Sequence, residues 1–139
     1  MKRFLFDPGV HFYYTSAALA LLRMAIGGMM LVGHGWGKLA HFSEKAATFP
    51  NPLGFGSTMS LSMTIFAEVI CSTLIILGLF TRFAVVPLAF TMFIALFLVH
   101  GSDSFAKQEL PTLYLVTCLV LFATGAGRYS IDAQIMKKS

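Results

Sequence analysis

Hydrophobic positions in this chain come in long runs, and the polar positions that interrupt them are few. Residues 83–99 form one run with no ionisable group, broken only by Pro87, and residues 110–126 form a second. Two further runs each carry a single ionisable residue: 17–33 contains Arg23 and 59–80 contains Glu68. A helix needs about 20 apolar residues to cross the hydrocarbon layer. The pattern therefore predicts four spans at about 17–38, 59–80, 83–100 and 110–126. The expected fold is an all-α membrane protein: a single domain over 1–139, folded as an antiparallel bundle of four transmembrane helices.

The connections differ in kind. Thr81-Arg82 forms a tight turn between the second and third spans, and a short polar segment at 101–109 joins the third to the fourth. The first connection is long, and Pro50-Asn51-Pro52 followed by Gly54-Phe55-Gly56 forbids one continuous helix there. A short amphipathic piece at 43–49 followed by a re-entrant or surface loop is expected. At the N-terminus Phe4-Leu5-Phe6 is stopped by Asp7-Pro8-Gly9, so the apolar core of a cleavable signal peptide is missing. Residues 10–16, with Tyr13 and Tyr14, read as an interfacial lead-in.

Composition narrows the class. Charged residues make up 12% of the 139, against the roughly 25% usual for soluble domains, while 57% are hydrophobic and mean hydropathy is +0.78. A soluble domain of this size cannot hide so much apolar surface, which leaves the bilayer as the solvent. Two cysteines exclude a disulfide scaffold. The net charge of +4 reads as a headgroup and topology signal, because no basic stretch is interleaved with aromatics as a nucleic-acid surface requires. Lys2, Arg3, Arg82, Arg128, Lys137 and Lys138 lie on one side of the spans, and Lys38, Lys45 and Lys107 on the other. That bias puts both termini in the cytoplasm.

The remaining polar residues fall on stripes. At about 100° per residue, Arg23, Gly27, Met30, His34, Lys38 and His41 share an arc of roughly 80° on the first helix. Ser57, Ser60, Thr64, Glu68 and Cys71 share a face of the second. The stripes are natural partners, and Arg23 and Glu68 differ in depth by about 10 Å, a gap that a long Arg side chain can close in part, directly or through water. Such a pair serves either as a structural ion pair or as a proton or ligand site, and the pattern leaves both open. His34, Lys38, His41, His100 and Glu109 converge at one membrane surface, without a compact metal motif such as HExxH. Hydrogen bonding to a small molecule is the favoured use, against a plain water-facing rim. Gly33 and Gly37, spaced as GxxxG, predict close helix packing, and Trp36 between them fits an aromatic belt. Cys71 and Cys118 read as small packing residues.

These residues together resemble the DoxX family of small four-helix membrane proteins. The resemblance runs over about 21–132: Leu22-Arg23 with Gly27, His34-Gly35-Trp36-Gly37-Lys38-Leu39, Glu68, Gly78-Leu79-Phe80-Thr81-Arg82, His100, Glu109, Leu113-Tyr114, and Gly125-Ala126-Gly127-Arg128-Tyr129-Ser130-Ile131-Asp132. It implies redox roles at the bacterial inner membrane, since related proteins include the membrane subunit of thiosulfate:quinone oxidoreductase. The expected ligand is then a quinone, with Glu68, His34 and Glu109 in proton-handling roles and Arg23, Lys38, His100 and Trp36 binding it. No flavin, haem or iron–sulfur motif is present, so electrons are expected from a separately encoded oxidoreductase subunit or from substrate. Homo-oligomers fit as well. The alternatives are a small-solute or proton transporter or channel, and a membrane scaffold for partner oxidoreductases.

Overall fold

A computed structural model describes residues 13–138. The expectations placed on residues 1–12 (the uncleaved N-terminus, the basic pair Lys2 and Arg3, and the start of the interfacial lead-in) lie outside the described residues. Among the described residues six helices follow in order: α1 (Tyr13–Ala40), α2 (Phe42–Lys45), α3 (Ser57–Leu77), α4 (Thr81–Val99), α5 (Phe105–Thr124) and α6 (Ile131–Lys138). No strand occurs among the described residues. The four long helices are apolar and long enough to cross a membrane, and the chain is an all-α membrane bundle.

Each boundary has a local cause. The helix α3 stops at Gly78, which adopts a left-handed φ of +67°. Phe80 at φ +49° then reverses the chain into α4, and Asp132 holds the reversal by accepting the Phe80 and Thr81 amides at 2.8 and 3.0 Å. The helix α5 starts at Phe105, five residues ahead of the uncharged run at 110. Hydropathy marks the part of a helix that suits hydrocarbon, and the polar turn Lys107-Gln108-Glu109 continues the helix beyond it. The amphipathic piece shrinks to Phe42–Lys45. Beyond it, Asn51 Oδ1 accepts from the Gly56 amide and the Ser60 hydroxyl, both at 3.1 Å, and ties the loop to the start of α3. The pattern did not foresee α6, although Ser130 is a capping residue: its Oγ accepts the Ala133 amide at 3.1 Å and donates to the Gly127 carbonyl at 2.6 Å.

The packed core contains Leu19, Met30, Cys71, Ile75, Leu88, Cys118 and Leu121. Large apolar side chains such as Leu21, Val32, Phe83, Leu113 and Val116 point outward, as a bilayer-facing surface requires. Both cysteines are buried core members with free thiols. The spans are also not plain α-helices. Wide π-type turns interrupt α1 at Leu31–Gly35, α3 at Phe66–Cys71 and α4 at Ala95–Val99. Such turns gather at functional sites because they re-aim side chains and loosen the backbone ladder.

Candidate functional site

The two ionisable residues inside the spans do not pair with each other. Arg23 is 1% exposed, and its guanidinium donates to the backbone. It reaches the carbonyls of Ile75 (3.0 Å) and Ile76 (3.3 Å) at the end of α3, and that of Tyr129 (2.5 Å) ahead of α6. A cation on the last carbonyls of a helix meets the negative end of its dipole. Gly78 makes room: a Cβ there would collide with the guanidinium and with Ser130. Arg23 is therefore a buttress between α1, α3 and the segment before α6, far from Glu68. The link between Arg23 and Glu68 that the facing stripes left open is not made.

Glu68 pairs with Lys38 instead, Nζ to Oε2 at 2.6 Å, with side-chain exposures of 21% for Lys38 and 5% for Glu68. Lys38 Nζ also reaches the His34 carbonyl at 3.4 Å. The close approach of α1 and α3 behind this bond depends on Gly35. A Cβ on Gly35 would lie 2.8 Å from the Glu68 carbonyl oxygen and 2.8 Å from Val69 Cγ2. Gly27 plays the same part deeper in the seam, with Ser72 O 3.0 Å and Ile76 Cγ1 2.7 Å from its notional Cβ. Gly33 and Gly37 have nothing within 4 Å, so the GxxxG pair is not the packing seam between α1 and the other described helices of this chain.

The ion pair sits on the wall of a cavity of about 1020 Å³. All four spans line it, together with the loop carrying Phe49, Pro50, Pro52, Leu53 and Phe55. Its walls are mainly apolar. The polar groups on it include His34, Lys38, Glu68, Ser60, Thr64 and Tyr114. Met63, Phe66 and Phe90 line the cavity and are also substantially exposed, so it reaches the lipid-facing surface. His34 lies in the π-type turn of α1, Glu68 in that of α3, and Ala95 and Val99 in that of α4. All three wide turns thus border one space.

Of the expected site residues, His34, Lys38, Glu68 and His100 line this cavity. His100 Nδ1 contacts Asp103 Oδ2 at 2.8 Å near the rim, and this hydrogen bond holds the half-buried Asp103 carboxyl below its ordinary range, with Lys107 adding to the effect. The other expected residues stand elsewhere. Glu109 is exposed and absent from the lining, because the polar first turns of α5 carry it outward. Trp36 is 62% exposed and faces away. His41 is exposed beside Glu44, at 3.2 Å. Tyr114 was not anticipated as a site residue. It is buried, and its ring meets His34 edge to face at 5.8 Å. A lone tyrosine inside a charge-free span was the available signal, since a buried phenol needs a polar neighbour.

The ion pair can be tested without a ligand. Lys38→Met leaves the Glu68 carboxylate buried and alone, an arrangement that costs about 3–5 kcal/mol. Lys38→Met combined with Glu68→Leu removes both charges and should recover most of that loss. Unfolding midpoints of the two singles and the double in detergent give the coupling, and additive single effects would contradict the pairing.

Four apolar spans around a cavity with one internal ion pair define a multi-pass membrane bundle with a polar point inside it. Residues 18–101, more than half of the chain, match the model of the DoxX family, and the chain belongs to that family. An uncharacterized protein of Haemophilus influenzae is 29% identical to it over 107 residues, covering 73% of this chain and 71% of that one. No solved structure matches.

Proposed function

We propose that the cavity binds a quinone, and that the protein is a redox-associated, quinone-interacting subunit of the bacterial inner membrane with both termini in the cytoplasm. The observation that carries this reading is an apolar space of about 1020 Å³, reaching the lipid-facing surface, with the Lys38–Glu68 pair on its wall. Ligand sites commonly combine apolar walls with a small number of placed polar groups, and this one is at the upper end of their size range. The excess of basic residues beside Arg82 and the C-terminus supports the orientation.

A quinone supplies the capacity to take up electrons together with protons. The chain's residues bind and protonate. Lys38 Nζ can donate to a carbonyl oxygen while remaining beside Glu68, and the His34 ring, braced by Tyr114, offers a second polar contact. Glu68 holds or releases a proton next to the ligand, with Lys38 compensating its charge. Phe66, Phe90 and Met63 provide apolar surface for an isoprenoid tail. Electrons arrive from a partner oxidoreductase subunit, the arrangement that the family resemblance implies.

The test is titration of the purified protein in nanodiscs with a short-chain quinone analogue. Glu68→Gln and Lys38→Met should each weaken binding about tenfold, the worth of one charge-assisted hydrogen bond. Trp36→Phe should leave it unchanged. No binding by the unaltered protein, or binding indifferent to both substitutions, sinks the proposal.

A further inference from the structure

A second, smaller cleft of about 450 Å³ lies at the opposite end of the bundle, lined by Tyr13, Arg128, Tyr129, Ser130, Gln134 and Lys137. Its position is set by the spans: Tyr13 begins α1, and Arg128 and Tyr129 follow the end of α5. The cleft therefore opens where apolar helix surface gives way to polar chain, the depth of lipid headgroups. Tyrosines favour that boundary, and here Tyr13 and Tyr129 pack edge to face with centroids 5.9 Å apart.

Among the described residues its charge is of one sign. Arg128 and Lys137 are exposed, and neither has an ion-pair partner among the described residues. No carboxylate lines the cleft among the described residues. Asp132, the acidic residue of α6, is 2% exposed and turned inward, its two oxygens engaged by the Phe80 and Thr81 amides. The segment bearing the cations is also fixed before any ligand arrives. Arg23 holds the Tyr129 carbonyl, Ser130 holds that of Gly127, and the Asp132 amide donates to the Gly78 carbonyl at 2.9 Å. Two unpaired cations on a braced frame, with the tyrosine phenols and the Gln134 amide beside them, form a receptor for phosphate.

We propose that this cleft binds the phosphate of a net-anionic phospholipid headgroup, independently of the ligand in the large cavity. Basic recesses beside span ends recognise such headgroups through charge and hydrogen bonding, each cation near the surface being worth about fivefold in binding. The same chemistry would accept a soluble phosphate ester, so the experiment includes one.

The protein in neutral detergent is titrated with phosphatidylglycerol or phosphatidylcholine, and bound lipid is counted by native mass spectrometry. Phosphatidylglycerol should be retained in preference to phosphatidylcholine. Arg128→Gln with Lys137→Gln should weaken its binding by an order of magnitude or more. Both side chains are exposed, so the unfolding midpoint of the lipid-free double variant should match that of the unaltered protein. Displacement of phosphatidylglycerol by millimolar glycerol 3-phosphate assigns the cleft to phosphate whatever its carrier. Resistance to displacement, with the double variant still deficient, assigns it to lipid alone. Equal retention of the two lipids, or undiminished binding by the double variant, overturns the proposal.

Discussion

Replacing Arg23 with Met should destabilise the protein by about 3 kcal/mol while leaving the affinity of the surviving fraction for a quinone analogue unchanged. The guanidinium holds the carbonyls of Ile75, Ile76 and Tyr129 together. A methionine fills much of the volume but donates nothing. The Ile75 carbonyl retains the Gly78 amide at 3.1 Å. The other two, in partly buried positions, lose a charged donor, and a hydrogen bond to a charged group is worth about 1.5–3 kcal/mol. Arg23→Lys should recover only part of the loss, since a compact ammonium cannot span acceptors on two segments as a planar fork does. Unfolding midpoints and membrane abundance measure the first effect, and titration in nanodiscs the second. A stable Arg23→Met variant that has lost ligand binding would return Arg23 to the site and remove it from the frame.

The misplacement of Arg23 shows what the amino-acid pattern could convey. Hydropathy located the spans because bilayer thickness dictates their length. It also flagged Arg23 and Glu68 as costly groups requiring partners, and set Lys38 in the cluster at one membrane surface. Choosing the partners was harder, since the sequence displays side chains while Arg23 is satisfied by backbone carbonyls at a helix end. Depth gives the decisive argument. Gly35 lies against Glu68, and Arg23 is twelve residues earlier on α1, roughly 18 Å along the axis. No side chain crosses that distance. Lys38 is less than one turn beyond Gly35 and is the cation at the right level.

The π-type turns left no mark on the pattern, and their effect on the site is large. A fixed 100° step carries the polar stripe of α1 straight through Leu31–Gly35, although the real helix widens there. The glycines misled for a related reason. Gly33 and Gly37 have the familiar spacing, but positions two residues apart on a helix point about 200° apart, so a seam through Gly35 turns both neighbours away. Tyr114 escaped because it stands alone in α5, and only the packed bundle brings it to His34. Glu109 drew notice as a carboxylate near a span, yet a charged residue at a helix start satisfies itself in water.

The glycine seam makes the sharpest separation of site from scaffold. Gly35→Ala should lower stability by about 1–3 kcal/mol, the usual range for overpacking, and should weaken binding of a quinone analogue by more than tenfold. The methyl group would sit 2.8 Å from the Glu68 carbonyl oxygen, a backbone atom within α3, and 2.8 Å from Val69 Cγ2. A side-chain rotation relieves the second contact but not the first, so α1 and α3 must part at this level. The Lys38–Glu68 bond at 2.6 Å spans the same gap and would lengthen with it. Gly33→Ala and Gly37→Ala are the matched controls: neither position has an atom within 4 Å of the added carbon, and alanine is the better helix former by about 1 kcal/mol. Both should bind normally and be as stable as the parent or slightly more so. If Gly35→Ala binds like its neighbours, the ion pair does not depend on helix contact at Gly35. If all three are equally impaired, helix association through Gly33 and Gly37 must be reinstated, with a second protein surface covering them.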